Sequence, residues 1–130
     1  MPTGPLAPLA TEKYVRLTTF RRDGTPVATP VWVVGDGEDL LVCTGAASGK
    51  VKRLRHTPRV LLVPCDGRGK VREGAAEIEA RGAVVEDKAQ TRRVLGLNRR
   101  KYPFLGFFIG LRQARKVDTG ETVSLRISPA

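Results

Sequence analysis

Hydrophobic and polar positions along this 130-residue chain fall into short runs of period two, separated by Gly, Asp and Pro. Residues 14–20 (YVRLTTF) are rich in β-formers, and Arg21-Arg22-Asp23-Gly24 turns them round. Asp-Gly between two such runs marks a hairpin. The returning strand, residues 26–34, sets Val27, Thr29, Val31 and Val33 against Ala28, Pro30, Trp32 and Val34. Both faces are largely apolar, so both are expected to be covered. Pro26 and Pro30 remove ladder donors, which predicts a bulge or a sheet edge around Pro30. Gly35-Asp36-Gly37 makes the next turn, and residues 40–44 the third strand. A short helix over residues 48–56 presents Val51 and Leu54 inward and stops before Thr57-Pro58, since proline disfavours helical geometry in the preceding residue.

A fourth strand, residues 59–65 (RVLLVPC), is apolar enough to be buried, and residues 66–70 (DGRGK) turn the chain again. Residues 71–85 read as a longer strand, bent near Gly74, with Ala76, Ile78 and Ala80 alternating against Glu77, Glu79 and Arg81. Residues 86–102 read as a helix whose Arg99-Arg100-Lys101 end suits the negative helix C-terminus. Residues 103–111 (PFLGFFIGL) are apolar and aromatic but too short to span a bilayer, and are expected to cap a core. Asp118-Thr119-Gly120 turns into a half-buried closing strand, residues 121–127. Residues 1–10 hold three prolines and a glycine and read as a loose arm, with Thr11 placed to cap one helical turn before Tyr14. The sum is a mainly β (α+β) chain of six or so antiparallel strands and two or three short helices, one domain over residues 1–130. Closure into a small antiparallel barrel removes sheet edges and is the expected solution.

The stretch that carries chemistry is residues 41–56, LVCTGAASGKVKRLRH. A strand runs into the small residues Gly45, Ala46 and Ala47 and then enters a helix at Ser48, a plausible N-cap. Such a turn leaves unpaired backbone N–H groups aimed at one spot. Lys50 and Arg53 are three apart and share a helix face. Together these features suit an anion, above all a phosphate. The competing reading is a solvated basic helix beside a tight turn. The resemblance of Gly45 to Lys50 to a nucleotide-binding P-loop is superficial: that loop needs four residues between its glycines and Ser or Thr after the Lys. Here three intervene and Val51 follows, so no hydroxyl is present to hold Mg²⁺.

Charge sharpens this picture. Lys and Arg number 23 against 13 Asp and Glu, a net charge of +10, which implies an anionic partner: nucleic acid, an acidic membrane surface or a polyanionic small molecule. Nucleic-acid binders interleave aromatic with basic residues on one surface. Aromatic residues are only 5% here, and three of the four phenylalanines sit in one apolar segment, so nucleic acid is the disfavoured reading. Cys43 and Cys65 lack metal-ligand spacing and have one histidine, His56, for company; zinc is not expected, and buried reduced thiols are. The N-terminal MPTGPLAPLA lacks a basic region followed by an apolar run and does not read as a signal peptide. A cytoplasmic protein is expected.

The linked motifs YVRLTTFRRDGTPVATPVWVV, LLVCTGAASGKVKRLRHTPRVLLVPCD and RGKVREGAAEIEARGAVV resemble, in order and over nearly the whole chain, the pyridoxamine 5′-phosphate oxidase-like family. They are similar in particular to its branch that uses the deazaflavin coenzyme F-420. The resemblance implies a split β-barrel that binds flavin or deazaflavin, paired with its twin so that cofactors lie in clefts between subunits. It implies that Thr29, Pro30, Val31 and Trp32 line the cofactor ring, and that Thr44, Ser48, Gly49, Lys50 and Arg53 hold its phosphate. It offers Phe104, Phe107 and Phe108 to the dimer interface or ring pocket. A polyglutamate tail on the cofactor fits the net charge, with Lys52, Arg55, Arg59 and Arg68 as candidate partners. The implied activity is hydride transfer between reduced F-420 and an organic substrate. FMN-dependent oxidoreduction and non-catalytic binding of a cofactor or tetrapyrrole are the alternatives on the same fold. No catalytic residue stands out: His56 sits at a helix end, and nothing selects Tyr14, Tyr102 or Cys65 as proton donors.

Overall fold

Tyr14–Phe20 (β1) and Pro26–Val31 (β2) form the expected hairpin, paired from Val15 with Val31 to Phe20 with Pro26. Asp23 accepts a hydrogen bond from the Thr25 N–H at 2.9 Å, and Gly24 takes φ +87°, where a side chain would be strained. The computed structural model describes residues 3–102 and 116–130. The remaining strands are Val34–Asp36 (β3), Asp39–Gly45 (β4), Arg59–Cys65 (β5), Ile78–Val85 (β6) and Thr122–Pro129 (β7). All seven lie in one antiparallel sheet in the order β2-β1-β5-β6-β7-β4-β3.

Residues 26–34 were expected to be one strand, and the structure breaks it. The chain leaves the β1 ladder after Val31, passes Trp32 and Val33 unpaired, and rejoins the sheet as β3 beside β4. β2 and β3 are the opposite edges of the strand order, yet three peptide steps join them. Three steps span at most about 11 Å, so the sheet has to curl until its edges meet. That is a split β-barrel, the predicted fold class. The edge position of β2 agrees with its two prolines.

Alternate residues fill the barrel. Val15, Leu17, Leu40, Val42, Val60, Leu62, Leu125 and Ile127 are each at most 1% exposed. The outer face of β4 is covered by Lys88–Lys101 (α3), where Val94 packs with Leu41 and Val34. Gly49–Leu54 (α2) closes one end of the barrel with Val51 and Leu54, as their spacing predicts.

Other expectations fail as well. The arm over residues 1–10 is not loose from Leu6 onward: Ala7–Ala10 (α1) forms a helical turn, and Leu6 and Leu9 are each 1% exposed in the barrel core. Leu6, Leu9 and Ala10 stand at i, i+3 and i+4, a helical apolar face that the prolines disguised. Prolines are tolerated there because a first turn needs no N–H bonds. Thr11 follows this helix rather than starting one, its hydroxyl donating to the Pro8 carbonyl at 3.0 Å. The long strand over residues 71–85 also shortens to β6, with Val71 left as one isolated bridge to Cys65. Ala75 and Ala76 bury too little apolar area to hold the intervening segment in a ladder.

A carboxylate–guanidinium network ties the short edge strand β3 down. Arg126 donates to Asp39 at 2.7 Å and to Asp36 at 2.9 Å, and Arg93 of α3 donates to both Asp36 oxygens at 3.0 and 3.2 Å. The hydrogen bonds from Arg93 and then Arg126 hold the Asp36 carboxyl down at about 2, against 3.8 ordinarily. A depressed carboxylate stabilises the fold above its unfolded value and loses that contribution as pH falls through the folded one. Asp36→Asn is therefore expected to lose about 1 kcal/mol at pH 7, screening by solvent included. Urea unfolding checks this: the gap between wild type and variant should close as pH falls from 3.8 towards about 2.

Candidate functional site

β4 ends at Gly45, where the Ala46 N–H bonds to the Glu121 carbonyl at 2.8 Å, and the chain then turns into α2. Ser48 is the N-cap, as its residue type predicts, with Oγ accepting from the Val51 N–H at 3.5 Å. Thr44 Oγ1 lies 3.3 Å from Ser48 Oγ, so two hydroxyls and the helix start meet at the end of β4. The N–H groups of Gly49 and Lys50 have no partner among the described residues.

Arg53 folds back over this turn. A Cβ on Gly49 would stand 2.5 Å from Arg53 Nη1, so a side chain at this position would push the guanidinium aside. Arg53 Nε donates to Thr19 Oγ1 at 2.6 Å, which fixes the group between α2 and β1. Arg53 lines an open cavity of about 380 Å³ with Phe20, Arg21, Arg22, Lys52 and His56.

Mutual repulsion marks this cluster. Arg16, Arg55, Arg59, Arg72, Arg92, Arg93 and Arg126 each pair with a carboxylate. Arg21, Arg22, Lys50, Lys52 and Arg53 take part in no ion pair among the described residues. Burial lowers the pKa of Lys50, and the neighbouring Arg53 lowers it further. Burial also lowers that of Arg53, with Arg21 adding to the effect. Cations that repel one another next to free N–H groups are stabilised by an incoming anion.

The β2 residues are placed differently. Thr29 and Val31 pair with Leu17 and Val15, which puts them on the same face as Thr19 and so on the side from which Arg53 reaches β1. Thr29 Oγ1 is buried without a hydrogen-bond partner among the described residues, a costly state that a ligand's polar atom would relieve. Pro30 lies on the opposite, exposed face. Trp32 sits past the end of the strand, stacked on Tyr102 with ring centroids 4.3 Å apart and planes 12° from parallel. The structure thus gathers Thr44, Ser48, Gly49, Lys50 and Arg53 at one point, and strings Thr29, Val31 and Trp32 along β2 and its bend.

Sequence reasoning missed Thr19, Arg21 and Arg22. Thr19 read as one β-former among several, and the two arginines as ordinary hairpin-turn charges. Of the four tail candidates, Lys52 lines the cavity. Arg55 and Arg59 are engaged by Glu86 and Glu79, and Arg68 lies on the Asp66–Lys70 turn. Phe104, Phe107 and Phe108 lie outside the described residues. His56 is exposed at the end of α2. Both cysteines are reduced and half-buried, and burial pushes the Cys43 thiol up to about 12. Among the described residues no group of three or more His, Cys, Asp and Glu is placed to hold a metal, and no helix is long and apolar enough to cross a membrane.

Comparison with known proteins agrees with this architecture. A conserved hypothetical protein from Mycobacterium tuberculosis superposes with a TM-score of 0.69 at 23% identity, covering 93% of this chain and 75% of the other. An F-420 reductase superposes with a TM-score of 0.57 at 23% identity, covering 100% and 96%. The haem storage protein HutZ from Vibrio cholerae superposes with a TM-score of 0.62 at 16% identity, covering 100% and 92%. At these identities the likeness speaks for the fold alone. No curated protein sequence matches the chain. The family model described as pyridoxamine 5′-phosphate oxidase matches residues 6–125, nearly the entire length, and the chain belongs to that family.

Proposed function

We propose that the protein binds coenzyme F-420 and transfers a hydride between its reduced form and an organic substrate, as a cytoplasmic homodimer with cofactors at the subunit interface. The observation that carries this reading is the unpaired cation cluster of Arg21, Lys50 and Arg53 at the start of α2. Lys50 and Arg53, with the Thr44 and Ser48 hydroxyls and the Gly49 and Lys50 N–H groups, hold the cofactor phosphate. Arg21, Arg22 and Lys52 extend positive charge along the adjoining cavity, which suits a tail of several carboxylates better than the single phosphate of FMN. Thr29 lies about 7 Å along β2 from the level of Thr19, and Trp32 about 16 Å, at roughly 3.3 Å per residue. An elongated ligand anchored at Arg53 can therefore run along the β2 edge of the barrel, with Trp32 closing the far wall.

The bound deazaflavin supplies the two-electron chemistry; the protein's part is to bind, orient and exclude competing reactions. His56 shares the cavity with Arg53, at the phosphate end of the site and away from the ring, so proton delivery from solvent accounts for the balance of the reduction.

Equilibrium binding of F-420 and of FMN, followed by cofactor fluorescence, tests the reading. Wild type should bind F-420 more tightly than FMN, and Lys50→Ala should weaken F-420 about tenfold, the worth of one charge-assisted hydrogen bond. FMN binding without F-420 binding transfers the protein to the FMN-dependent oxidoreductases. Binding of neither sinks the cofactor assignment.

A further inference from the structure

The bend that carries Trp32 has no ladder partner, yet its carbonyl groups are not idle. The Val33 carbonyl accepts from Lys101 Nζ at 2.6 Å and from the Tyr102 hydroxyl at 3.3 Å. Lys101 spends its other two donors on the carbonyls of Ala10 at 2.8 Å and Glu12 at 2.6 Å. All three protons of one ammonium are therefore placed on backbone oxygens, a saturated arrangement for a lysine. The Tyr102 hydroxyl also reaches the Lys13 carbonyl at 2.7 Å, while its ring stacks on Trp32. Lysine heads ordinarily reach for water. This one instead joins three separate segments: the link from α1 into β1, the bend between β2 and β3, and the last turn of α3.

We infer that Lys101 and Tyr102 are positioning residues for Trp32: the ammonium fixes the backbone of the bend, the phenol ring fixes the indole, and together they hold the far wall of the cofactor pocket. The link to the cofactor rests on the function proposed above; the clamp itself does not. Three acceptors on one nitrogen match the three donors of an ammonium, whereas arginine spreads its donors over a planar fork. A carbonyl at an unpaired bend costs free energy unless a donor meets it. The last residue of α3 thus donates to the Val33 carbonyl, and Tyr102 just beyond it lays its ring on the indole, so the indole's placement is set from the end of that helix.

Titration offers a readout that a merely structural contact lacks. Burial lowers the Lys101 ammonium to about 8, with the Glu12 carboxylate acting against the shift. The charged or titratable groups around it are Glu12, itself paired with Arg72, then Lys13, Tyr14 and Tyr102; the bend from Trp32 to Val33 brings none. A neutral amine has two N–H donors, so one of the three carbonyls loses its partner as pH rises through that value.

Trp32 is the only tryptophan, so its emission reports on the clamp directly in the cofactor-free protein. In wild type, indole emission and acrylamide quenching should change between pH 6.5 and 9.5 with a midpoint near 8. In Lys101→Met, with its fold checked by circular dichroism, the high-pH spectrum should appear at pH 7 and stay flat. Lys101→Ala should recover the low-pH spectrum with added ammonium chloride and not with sodium chloride. F-420 affinity should fall about 3- to 10-fold in Lys101→Met, the worth of one misplaced aromatic contact. A pH-invariant wild-type spectrum overturns the clamp without any variant, as does a Lys101→Met spectrum identical to wild type. A changed spectrum with unchanged F-420 affinity overturns its role in the pocket. Wild type that binds no F-420 fails the proposed function instead, and leaves the spectra to decide the clamp.

Discussion

Arg53→Ala is expected to weaken F-420 binding by about 10- to 100-fold, the range for losing a charge-assisted hydrogen bond of ~1.5–3 kcal/mol. The size of this effect comes from preorganisation. An arginine free in solvent pays rotamer entropy when it closes on an anion. Arg53 has already been ordered by its bond to Thr19 and by its seat over Gly49. Its neighbours Arg21 and Lys50 disfavour its charge rather than support it, so the substitution relieves repulsion in the empty protein. That relief offsets the loss of the bond to the buried Thr19 hydroxyl, so thermal unfolding should show a melting temperature close to that of wild type. Lower affinity together with undiminished stability separates a binding residue from a structural one. Wild-type affinity in the variant places the phosphate elsewhere. Arg53→Lys should also bind poorly, because an ammonium has no second nitrogen to keep Thr19 engaged while facing the anion.

The contrast between legible and hidden parts of this site follows chain distance. Ser48, Gly49, Lys50 and Arg53 belong to one turn and one helix, so cap chemistry and three-residue spacing suffice to group them. Thr19 is 34 residues from Arg53, and only the docking of α2 against β1 brings the two together. Arg21 and Arg22 follow it through the same hairpin. Spacing along a sequence carries no record of such contacts.

The fold divides in the same way. Asp23-Gly24 announces the β1–β2 hairpin because the turn's chemistry is local. The break after Val31 is not local: residues 26–34 alternate well enough for one strand, and barrel curvature decides where the ladder ends. Trp32 thereby moves from a position inside an expected strand to a bend held by α3. The surplus of positive charge pointed to an anionic ligand, yet its distribution is what bears on the site. Seven arginines are neutralised by carboxylates over the surface, whereas Arg21, Arg22, Lys52 and Arg53 line one cavity and take part in no ion pair among the described residues.

Leu9→Ala is expected to destabilise the protein by about 3 kcal/mol, within the range for truncating a buried leucine without refilling its cavity. For a chain of this size that is a fall in melting temperature of roughly 10 °C. A loose arm would give a change within about 0.5 kcal/mol, the usual scale for exposed positions. The two readings of residues 1–10 thus differ severalfold in one measurement. The structure favours the large effect because Leu9 shares its cluster with Val15 and Leu40, which β1 and β4 hold on other grounds, and with Val33 of the bend. The barrel's own strands leave that end open, and α1 stops it as α2 stops the other. A second consequence follows from Lys101, whose ammonium bonds to the Ala10 and Glu12 carbonyls just beyond Leu9. Loosening α1 removes the backing for those carbonyls. Urea unfolding of Leu9→Ala should therefore be accompanied, even in the folded baseline, by altered Trp32 emission. A Leu9→Ala protein of wild-type stability would show that the arm contributes nothing to the core, and that the barrel closes without it.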